Sequence, residues 1–254
     1  MDEGLTFNVL GARGSWPVSD PEMLVHGGRT TSFMIRLEDD VTVLIDAGTG
    51  LAAVDDMDDT GAQTYHLFFT HYHLDHVQGL QFFKPLYREG NHFNFYGMSP
   101  EAMTVEEAVS GIYRAPWFPI PLDSAESTKR YVTLDGNHVT VGPLRLSTIQ
   151  LTHPQGVTGY RIEGPQATVV IATDHEAGDE EVDNALVEFA NGADYLFHDA
   201  QYTPEEHLDL YEGWGHSTWV DAVDAAQRAG VGQLILTSHD PSRTDDALDE
   251  LIQL

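Results

Sequence analysis

Residues 71–76 place three histidines and an aspartate within six positions, directly after an apolar stretch with the length of a buried strand. In an extended chain alternate side chains share a face, so His71 and His73 can bind one cation together. Asp75 and His76 point apart unless the chain turns there. Burying so many imidazoles and a carboxylate without a metal would leave polar groups unsatisfied. The segment therefore predicts a strand-to-helix junction whose four ligands can serve two neighbouring metal ions.

Helical spacing follows this junction and recurs twice along the chain. The stretch 75–87 predicts a helix that opens at Asp75, although Gly79 weakens it, and four of its apolar residues are expected to face inward. Those residues are Val77, Leu80, Phe83 and Leu86. The stretch 99–113 predicts a helix with Ser99 as N-cap and Pro100 at its first position. A third helix is predicted to start at Ser217 and stop near Gly230.

Short apolar runs of strand length repeatedly end in a histidine or an aspartate. The terminal residues of these runs are His71, His153, Asp174, Asp199 and His239. Strands that alternate with helices indicate an α/β protein whose ligands gather at one edge of a sheet.

Composition restricts the chemistry and the organisation of the chain. The sequence has no cysteine, so a metal must be held by imidazole and carboxylate groups. A length of 254 residues with 41% hydrophobic content predicts one domain over residues 1–254, and leaves open two similar halves within it. The first residues are acidic and no segment has 18 uninterrupted apolar residues, so we expect a soluble, cytoplasmic protein that does not bind membranes.

The charge balance argues against a polyanionic partner. The chain has 41 acidic and 12 basic residues, a formal net charge of −29. Binding nucleic acid through its backbone requires a basic stripe, and the arginines form none. Nucleic acid is therefore not expected as a partner. The acidic surface is explained equally by ordinary solubility and by adaptation to high salt.

An isolated histidine after a strand is more often a packed or surface residue than a metal ligand. We apply this interpretation to six histidines and assign them no role: His26, His66, His92, His138, His175 and His207. For His153, Asp174 and His239 the local pattern is weak, and only their shared position at strand ends favours a function.

The segment 70–76, THYHLDH, resembles the His-x-His-x-Asp-His motif of the metallo-β-lactamase-fold hydrolases, and the resemblance covers essentially the whole sequence. It implies an αββα sandwich of two pseudo-equivalent halves that holds two divalent metal ions. One ion would be bound by His71, His73 and His153. The second would be bound by Asp75, His76 and His239. Asp174 would bridge both ions, and Asp46, in the segment LIDAG, would orient a ligand histidine.

Two further segments are similar to the branch that contains ribonuclease Z and small-molecule phosphodiesterases. HDAQY places Asp199 where that branch has an acidic residue, and GWGHSTW places His216 in its His-Ser-Thr motif. The resemblance implies that His216 protonates the leaving oxygen and pairs with Asp199. Asp75, Asp199 and His216 are thus the predicted catalytic residues. The alternative for His216 is a packed residue at the start of a helix.

Together these features predict a dinuclear phosphodiesterase that acts on small diesters such as cyclic nucleotides or cyclic sugar phosphates. Zn²⁺ is the expected metal, with Mn²⁺ or Fe²⁺ as alternatives. Three alternatives for the protein stay open: a lactone or carboxylic-ester hydrolase, a tRNA 3′-processing endonuclease, and a non-catalytic metal-binding domain. Residues 114–124 are interpreted as a rigid cover or as a homodimer contact. The loops 11–17 and 26–32 are interpreted either as turns or as a phosphate site that presents backbone amides and Arg13.

Overall fold

The computed structural model describes residues 5–37, 40–54, 61–99, 103–136 and 138–252. It divides into two compact units. The first comprises Met1–Gly11 and Arg29–Asp135, and the second comprises Ala12–Gly28 and Gly136–Leu254.

The first unit contains a mixed six-stranded sheet whose spatial order follows the chain. Its strands are β1 (Thr6–Gly11), β2 (Ser32–Arg36), β3 (Val41–Ile45), β4 (Thr64–Phe68), β5 (His92–Gly97) and β6 (Thr128–Thr133). The first three strands pair antiparallel, whereas β3 to β6 pair parallel. The interior strand β3 has four apolar residues of five and is buried on both faces from Thr42 to Ile45, as the interior strands of α/β sheets are.

Among the described residues of the first unit, the α-helices are α1 (Leu74–Val77) and α2 (Val105–Gly111). The stretch 75–87 does not form one continuous helix: α1 is followed by the 3₁₀ turns Gln78–Phe82 and Lys84–Tyr87. The chain passes so close to Gly48 at Gly79 that a side chain there would collide with the Gly48 carbonyl. The expected inward positions are confirmed, since all four side chains are at most 1% exposed. They are Val77, Leu80, Phe83 and Leu86.

The prediction that Ser99 caps the next helix is wrong. Helix α2 begins at Val105, and Thr104 is its N-cap. Thr104 and Glu107 form a reciprocal capping box, which satisfies two backbone donors and outweighs the sequence preference at Ser99. Pro100, the predicted first helical residue, lies outside the described residues.

Aromatic side chains fill the core of the first unit. The Tyr65 ring stacks on Phe93 with centroids 4.6 Å apart, and Phe93 stacks on Phe95 at 5.7 Å. Within residues 114–124, Phe118 and Leu122 are buried in this core, whereas Trp117 is 81% exposed. The aromatic stack fixes the strand β4 that leads into the His71–His76 segment.

The second unit contains another mixed six-stranded sheet, in the order β12-β11-β10-β9-β8-β7. Its strands are β7 (Val139–Val141), β8 (Leu144–Leu151), β9 (Val157–Glu163), β10 (Thr168–Ala172), β11 (Tyr195–Asp199) and β12 (Gln233–Thr237). Strands β7 to β10 pair antiparallel, and β10, β11 and β12 pair parallel. Because the three parallel strands end at the same edge, the residues that follow them lie close together.

The helices of the second unit are α3 (Glu180–Ala190), α4 (Pro204–Glu206), α5 (Trp219–Ala229) and α6 (Asp245–Ile252). Helix α5 confirms the predicted stop, because Gly230 is its C-cap with a φ of 63°. Its N-cap is Thr218, one residue after the predicted start, because Thr218 forms a capping box with Asp221. Across the part of the chain that is described, no helix has the length and apolarity needed to cross a bilayer.

Candidate metal-binding clusters

The predicted ligands of the first unit lie at the end of β4 and in α1, as the sequence indicates. His71 is 5% exposed, His76 is fully buried, and Asp75 is 7% exposed. The His71 ring centroid lies 4.4 Å from that of His73 and 4.3 Å from that of His76. Nε2 of His76 lies 3.3 Å from Oδ2 of Asp75. The turn at α1 therefore brings all four side chains into one cluster.

Asp46 orients two of these histidines. Its Oδ2 accepts hydrogen bonds from Nδ1 of His76 at 2.8 Å and from Oγ1 of Thr70 at 2.8 Å. The Thr70 hydroxyl donates to Asp46, so it accepts from Nδ1 of His71, which lies 3.0 Å away. Both imidazoles thus carry their proton on Nδ1 and present Nε2 as the basic atom. This arrangement is the one expected for metal-ligating histidines.

Asp46 itself is fully buried and directly follows β3 with a φ of 59°. A positive φ is uncommon for a residue other than glycine, and it turns the carboxylate back toward β4. Burial raises the pKa of Asp46, while His76 and Thr70 oppose this change. The carboxyl group is held in place by Thr70 and His76, which donate to it.

In the second unit Asp174 follows β10 and His153 follows β8, two strands that both pair with β9. Oδ1 of Asp174 accepts from Oγ1 of Thr173 at 2.7 Å and from Oγ of Ser238 at 3.0 Å. Oδ2 of Asp174 lies 4.0 Å from Nε2 of His153. Nδ1 of His153 lies 2.6 Å from the carbonyl oxygen of Gly215, so this imidazole also presents Nε2. Asp174 has a φ of 54°, the same backbone feature as Asp46 in the first unit.

Asp199 and His216 form the pair that the sequence predicts. Nδ1 of His216 lies 2.7 Å from Oδ2 of Asp199, which is fully buried. The other carboxylate oxygen accepts from the backbone N–H groups of Ser217 at 2.8 Å and Gln201 at 3.2 Å. His153, Asp174 and His216 each offer one ligand-type atom within 4.8 Å of the others. The acid–histidine pair is therefore built onto the ligand cluster of the second unit.

His239 follows β12, and its backbone is hydrogen-bonded to the loop 11–17. The N–H of His239 donates to the Ala12 carbonyl at 3.0 Å, and the carbonyl of His239 accepts from Gly14 N at 3.0 Å. Burial, followed by the nearby charge of Arg13, lowers the pKa of His239 to about 3. The imidazole is therefore neutral in the folded chain. A neutral imidazole is the form that binds a metal.

The interpretation of Arg13 as a phosphate-binding side chain is wrong. Its side chain is only 1% exposed, and its guanidinium donates to three backbone carbonyls. These are the carbonyls of Gly27 at 2.9 Å, Asp240 at 3.2 Å and Arg243 at 2.7 Å. Arg13 thus holds the loop 11–17 against the segment after His239, a structural task that the glycine-rich sequence did not reveal.

These donor sets fit divalent metal ions. They consist of imidazole nitrogens and carboxylate oxygens, which suit Zn²⁺, Mn²⁺ and Fe²⁺. Three of the imidazoles have Nδ1 held by an oxygen atom: His71, His76 and His153. Such preorganisation of Nε2 has no evident purpose in a histidine that only packs in a core.

Four of the six histidines that received no role have other partners. His66 Nδ1 lies 3.0 Å from the Tyr96 hydroxyl, and His26 Nε2 lies 2.9 Å from Asp249 Oδ1. His175 Nε2 lies 3.2 Å from Asp183 Oδ1, and His207 Nε2 lies 3.1 Å from Glu176 Oε1. The supporting residues Thr70, Ser238 and Glu176 were missed by sequence analysis, although Thr70 and Ser238 each immediately precede a candidate ligand.

The fold and the clusters define a class of metal-dependent hydrolase. The sequence profile of the beta-lactamase superfamily domain matches residues 41–239. The chain therefore belongs to the metallo-β-lactamase superfamily, a family of hydrolases. The predicted fold class and family are confirmed.

Two curated relatives and one solved structure illustrate the similarity. Ribonuclease Z from Shouchella clausii (strain KSM-K16) is 47% identical over 70 residues, 28% of this chain and 20% of that protein. The chain thus matches about a fifth of the length of this relative. Ribonuclease Z from Haloarcula marismortui is 23% identical over 291 aligned residues, 96% of this chain and 88% of that protein. A crystal structure described as a new diphosphatase from the PhnP family superposes with a TM-score of 0.71 at 19% identity, covering 97% of this chain and 91% of that chain.

Proposed function

We propose that this protein is a dinuclear metal-dependent phosphodiesterase that acts on small phosphodiesters. The observation that carries the proposal is the buried pair of Asp199 and His216, whose Oδ2 and Nδ1 atoms lie 2.7 Å apart beside the ligand-type residues His153 and Asp174. Hydrolysis of a carboxylic ester or a lactone on the same metals does not need a histidine held in this way. The pair therefore favours a reaction with a poor leaving group that must be protonated.

The proposed metal ligands are those that the family motif implies. They are His71, His73, Asp75, His76, His153, Asp174 and His239. Family membership and the orientation of the imidazoles within each unit support this assignment. Two divalent ions, of which Zn²⁺ suits the donors best, would polarise a phosphoryl oxygen and activate a water molecule.

His216 is the proposed general acid. Its Nδ1 proton is directed at Asp199, so the transferable proton is the one on Nε2 of the imidazolium. Asp199 stabilises that imidazolium, because both carboxylate oxygens are held by donors in a fully buried position. Asp199 therefore fixes the ring orientation, while His216 gives its Nε2 proton to the departing alkoxide.

Charge favours a small substrate. At −29 the chain repels a polyanion, and a small diester places few charges outside a metal pocket. The second candidate is tRNA 3′-end processing, and it is favoured by the similarity to ribonuclease Z proteins. Most phosphates of a precursor tRNA would face an acidic surface without a basic region to bind them.

The test is an assay of purified, metal-loaded protein against bis-p-nitrophenyl phosphate, a panel of cyclic nucleotides, a panel of lactones and a precursor tRNA. We expect chelator-sensitive hydrolysis of the diesters. If only lactones are hydrolysed, the proposed function is wrong and the protein is an ester hydrolase. If only tRNA is cleaved, the second candidate function is favoured.

A further inference from the structure

An exposed tryptophan lies next to the residues of the proposed acid pair. Trp214 is 62% exposed. It lies between Gly213 and Gly215, two residues before His216. A large apolar side chain exposed to this extent beside a buried polar cluster is not explained by the core of the second unit. The surroundings of Trp214 indicate that its position is nevertheless fixed.

The backbone on both sides of Trp214 is clamped by one carboxylate. Glu176, whose side chain is 13% exposed, accepts from Gly213 N at 2.6 Å through Oε1 and from Gly215 N at 2.7 Å through Oε2. The same Oε1 lies 3.1 Å from Nε2 of His207. A short segment with both flanking amides bonded to one buried carboxylate has little freedom to move.

Both glycines are required by the geometry of this turn. Gly213 has a φ of 83° and Gly215 a φ of 92°, a region that side chains other than glycine rarely adopt. A Cβ atom at Gly215 would also collide with Nδ1 of His153 and Cδ of Pro154. The Gly215 carbonyl accepts from Nδ1 of His153, so the residue after Trp214 orients a proposed metal ligand. Trp214 is thereby tied to the position of His153.

Aromatic rings connect Trp214 to His216. The Trp214 ring packs edge-on against Tyr211 with centroids 5.3 Å apart, and Tyr211 stacks on Tyr202 at 4.4 Å with an angle of 8°. Tyr202 in turn meets His216 edge-on at 5.9 Å. Burial raises the pKa of Tyr202 to about 12, so its ring stays a neutral phenol. The four rings form a continuous series of ring contacts from the buried His216, the proposed acid, to the exposed indole of Trp214.

From this arrangement we propose that Trp214 is a specificity-determining residue that stacks on a nucleobase, so that the preferred substrates are nucleotide phosphodiesters rather than base-free sugar phosphates. The inference rests on the proposed function, because it concerns the substrate of the same site. An aromatic face binds any base without hydrogen bonds and requires no positive charge, which suits a chain as acidic as this one.

The test compares two cyclic diesters with the same reacting bonds, adenosine 3′,5′-cyclic monophosphate and 1-O-methylribose 3′,5′-cyclic phosphate. Trp214→Ala should raise KM for the nucleotide about 5- to 150-fold, the usual effect of removing one stacking partner, and leave KM for the base-free ester nearly unchanged. Trp214→Phe should restore KM for the nucleotide to within about threefold, because phenylalanine also stacks. Tyr195→Ala is the matched control, since Tyr195 is also exposed and lies at the start of β11, away from Asp199 at its end.

A second readout does not depend on turnover. Adenosine monophosphate should quench the tryptophan fluorescence of the native protein, and Trp214→Phe should abolish that quenching while the nucleotide still binds. Equal effects of Trp214→Ala on both esters would overturn the inference and leave the phosphodiesterase in place. Quenching by the nucleotide without hydrolysis of either ester would support base recognition and overturn the proposed function instead. Absence of both quenching and nucleotide preference would reject the role of Trp214.

Discussion

His216 Nδ1 lies 2.7 Å from Asp199 Oδ2, and the carboxylate is completely buried. Because Asp199 also accepts from the backbone of Ser217, the acid is bonded both to the ring of His216 and to the residue after it. This geometry holds the imidazole in a single orientation, with Nε2 on the side of the ring away from Asp199.

The first prediction concerns this histidine. His216→Ala should retain the fold and the bound metal but reduce turnover of an alkyl diester by about 10²- to 10⁴-fold, the usual contribution of a general acid. The reduction should be smaller for a p-nitrophenyl ester, whose leaving group needs little protonation. Steady-state kinetics and elemental analysis measure both effects, with His92→Ala, an exposed histidine of β5, as control. Equal losses on both substrates would show that His216 positions the phosphate instead.

A second prediction tests the bridging role of Asp174. The fully loaded native protein should contain two metal ions per chain, and Asp174→Ala should reduce occupancy at both positions, because a bridging carboxylate serves both ions. Elemental analysis after dialysis gives the stoichiometry. A native protein that never exceeds one equivalent would contradict the dinuclear assignment.

Asp46 provides a third test, because it contacts histidines without being a proposed ligand. Asp46→Asn should lower metal affinity by about 10- to 100-fold, the usual effect of removing a partner that orients a ligand. The reason is that an amide has only one acceptor oxygen. It cannot replace both Oδ2, which accepts from Oγ1 of Thr70 and Nδ1 of His76, and Oδ1, which accepts from Thr70 N. Competition with a chromogenic chelator measures the affinity. The control is Asp194→Asn, which alters a carboxylate that accepts from Thr168 N. Equal metal affinities for the native protein and both variants would show that Asp46 does not support metal binding.

The fourth prediction concerns stability. Arg13→Met should destabilise the metal-free protein by about 3 kcal/mol, because three backbone carbonyl groups lose a charged donor. Arg145→Met should change stability by less than about 1 kcal/mol, since the Arg145 side chain is 52% exposed in its pair with Glu163. Urea unfolding in the presence of a chelator compares the two. Similar midpoints would mean that the guanidinium of Arg13 contributes no more than a surface ion pair.

The last prediction separates substrate classes by charge. At low ionic strength, where repulsion is least screened, the kcat/KM for the best small diester should exceed that for precursor tRNA. The ratio of kcat/KM for the diester to kcat/KM for the tRNA should decrease as salt is added, because the acidic surface of the chain is then screened. Efficient cleavage at a tRNA 3′ end in low salt, with negligible turnover of every small diester, would overturn the proposed preference.

Much of the candidate site could be predicted from short-range patterns in the sequence. Short apolar runs of strand length identified the strands that precede His71, His153 and Asp174, and the density of ligand-type residues at 71–76 indicated a metal site. Each of these inferences uses residues within about ten positions of one another, the range over which hydrophobic periodicity is encoded locally. The absence of cysteine restricted the donors to nitrogen and oxygen before any fold was considered.

Predictions from the local residue preferences of the sequence were wrong at Ser99 and at Arg13. Ser99 has the chemistry of a helix cap, yet the reciprocal bonds of Thr104 and Glu107 start the helix five residues later than Pro100. Arg13 has the chemistry of a phosphate ligand in a glycine-rich loop, yet packing against the carbonyls of Asp240 and Arg243 buries it.

By itself, then, the sequence determined the family, the kind of candidate metal donor and the strand ends near which those candidates lie. Only the tertiary structure decided how those donors are oriented: Thr70 links His71 to Asp46 across 24 positions, and Glu176 clamps the turn around Trp214 from 37 positions away. The physical reason is that a hydrogen bond depends on distance and angle in space, and residues so far apart along the chain acquire both only when the sheets bring their loops together.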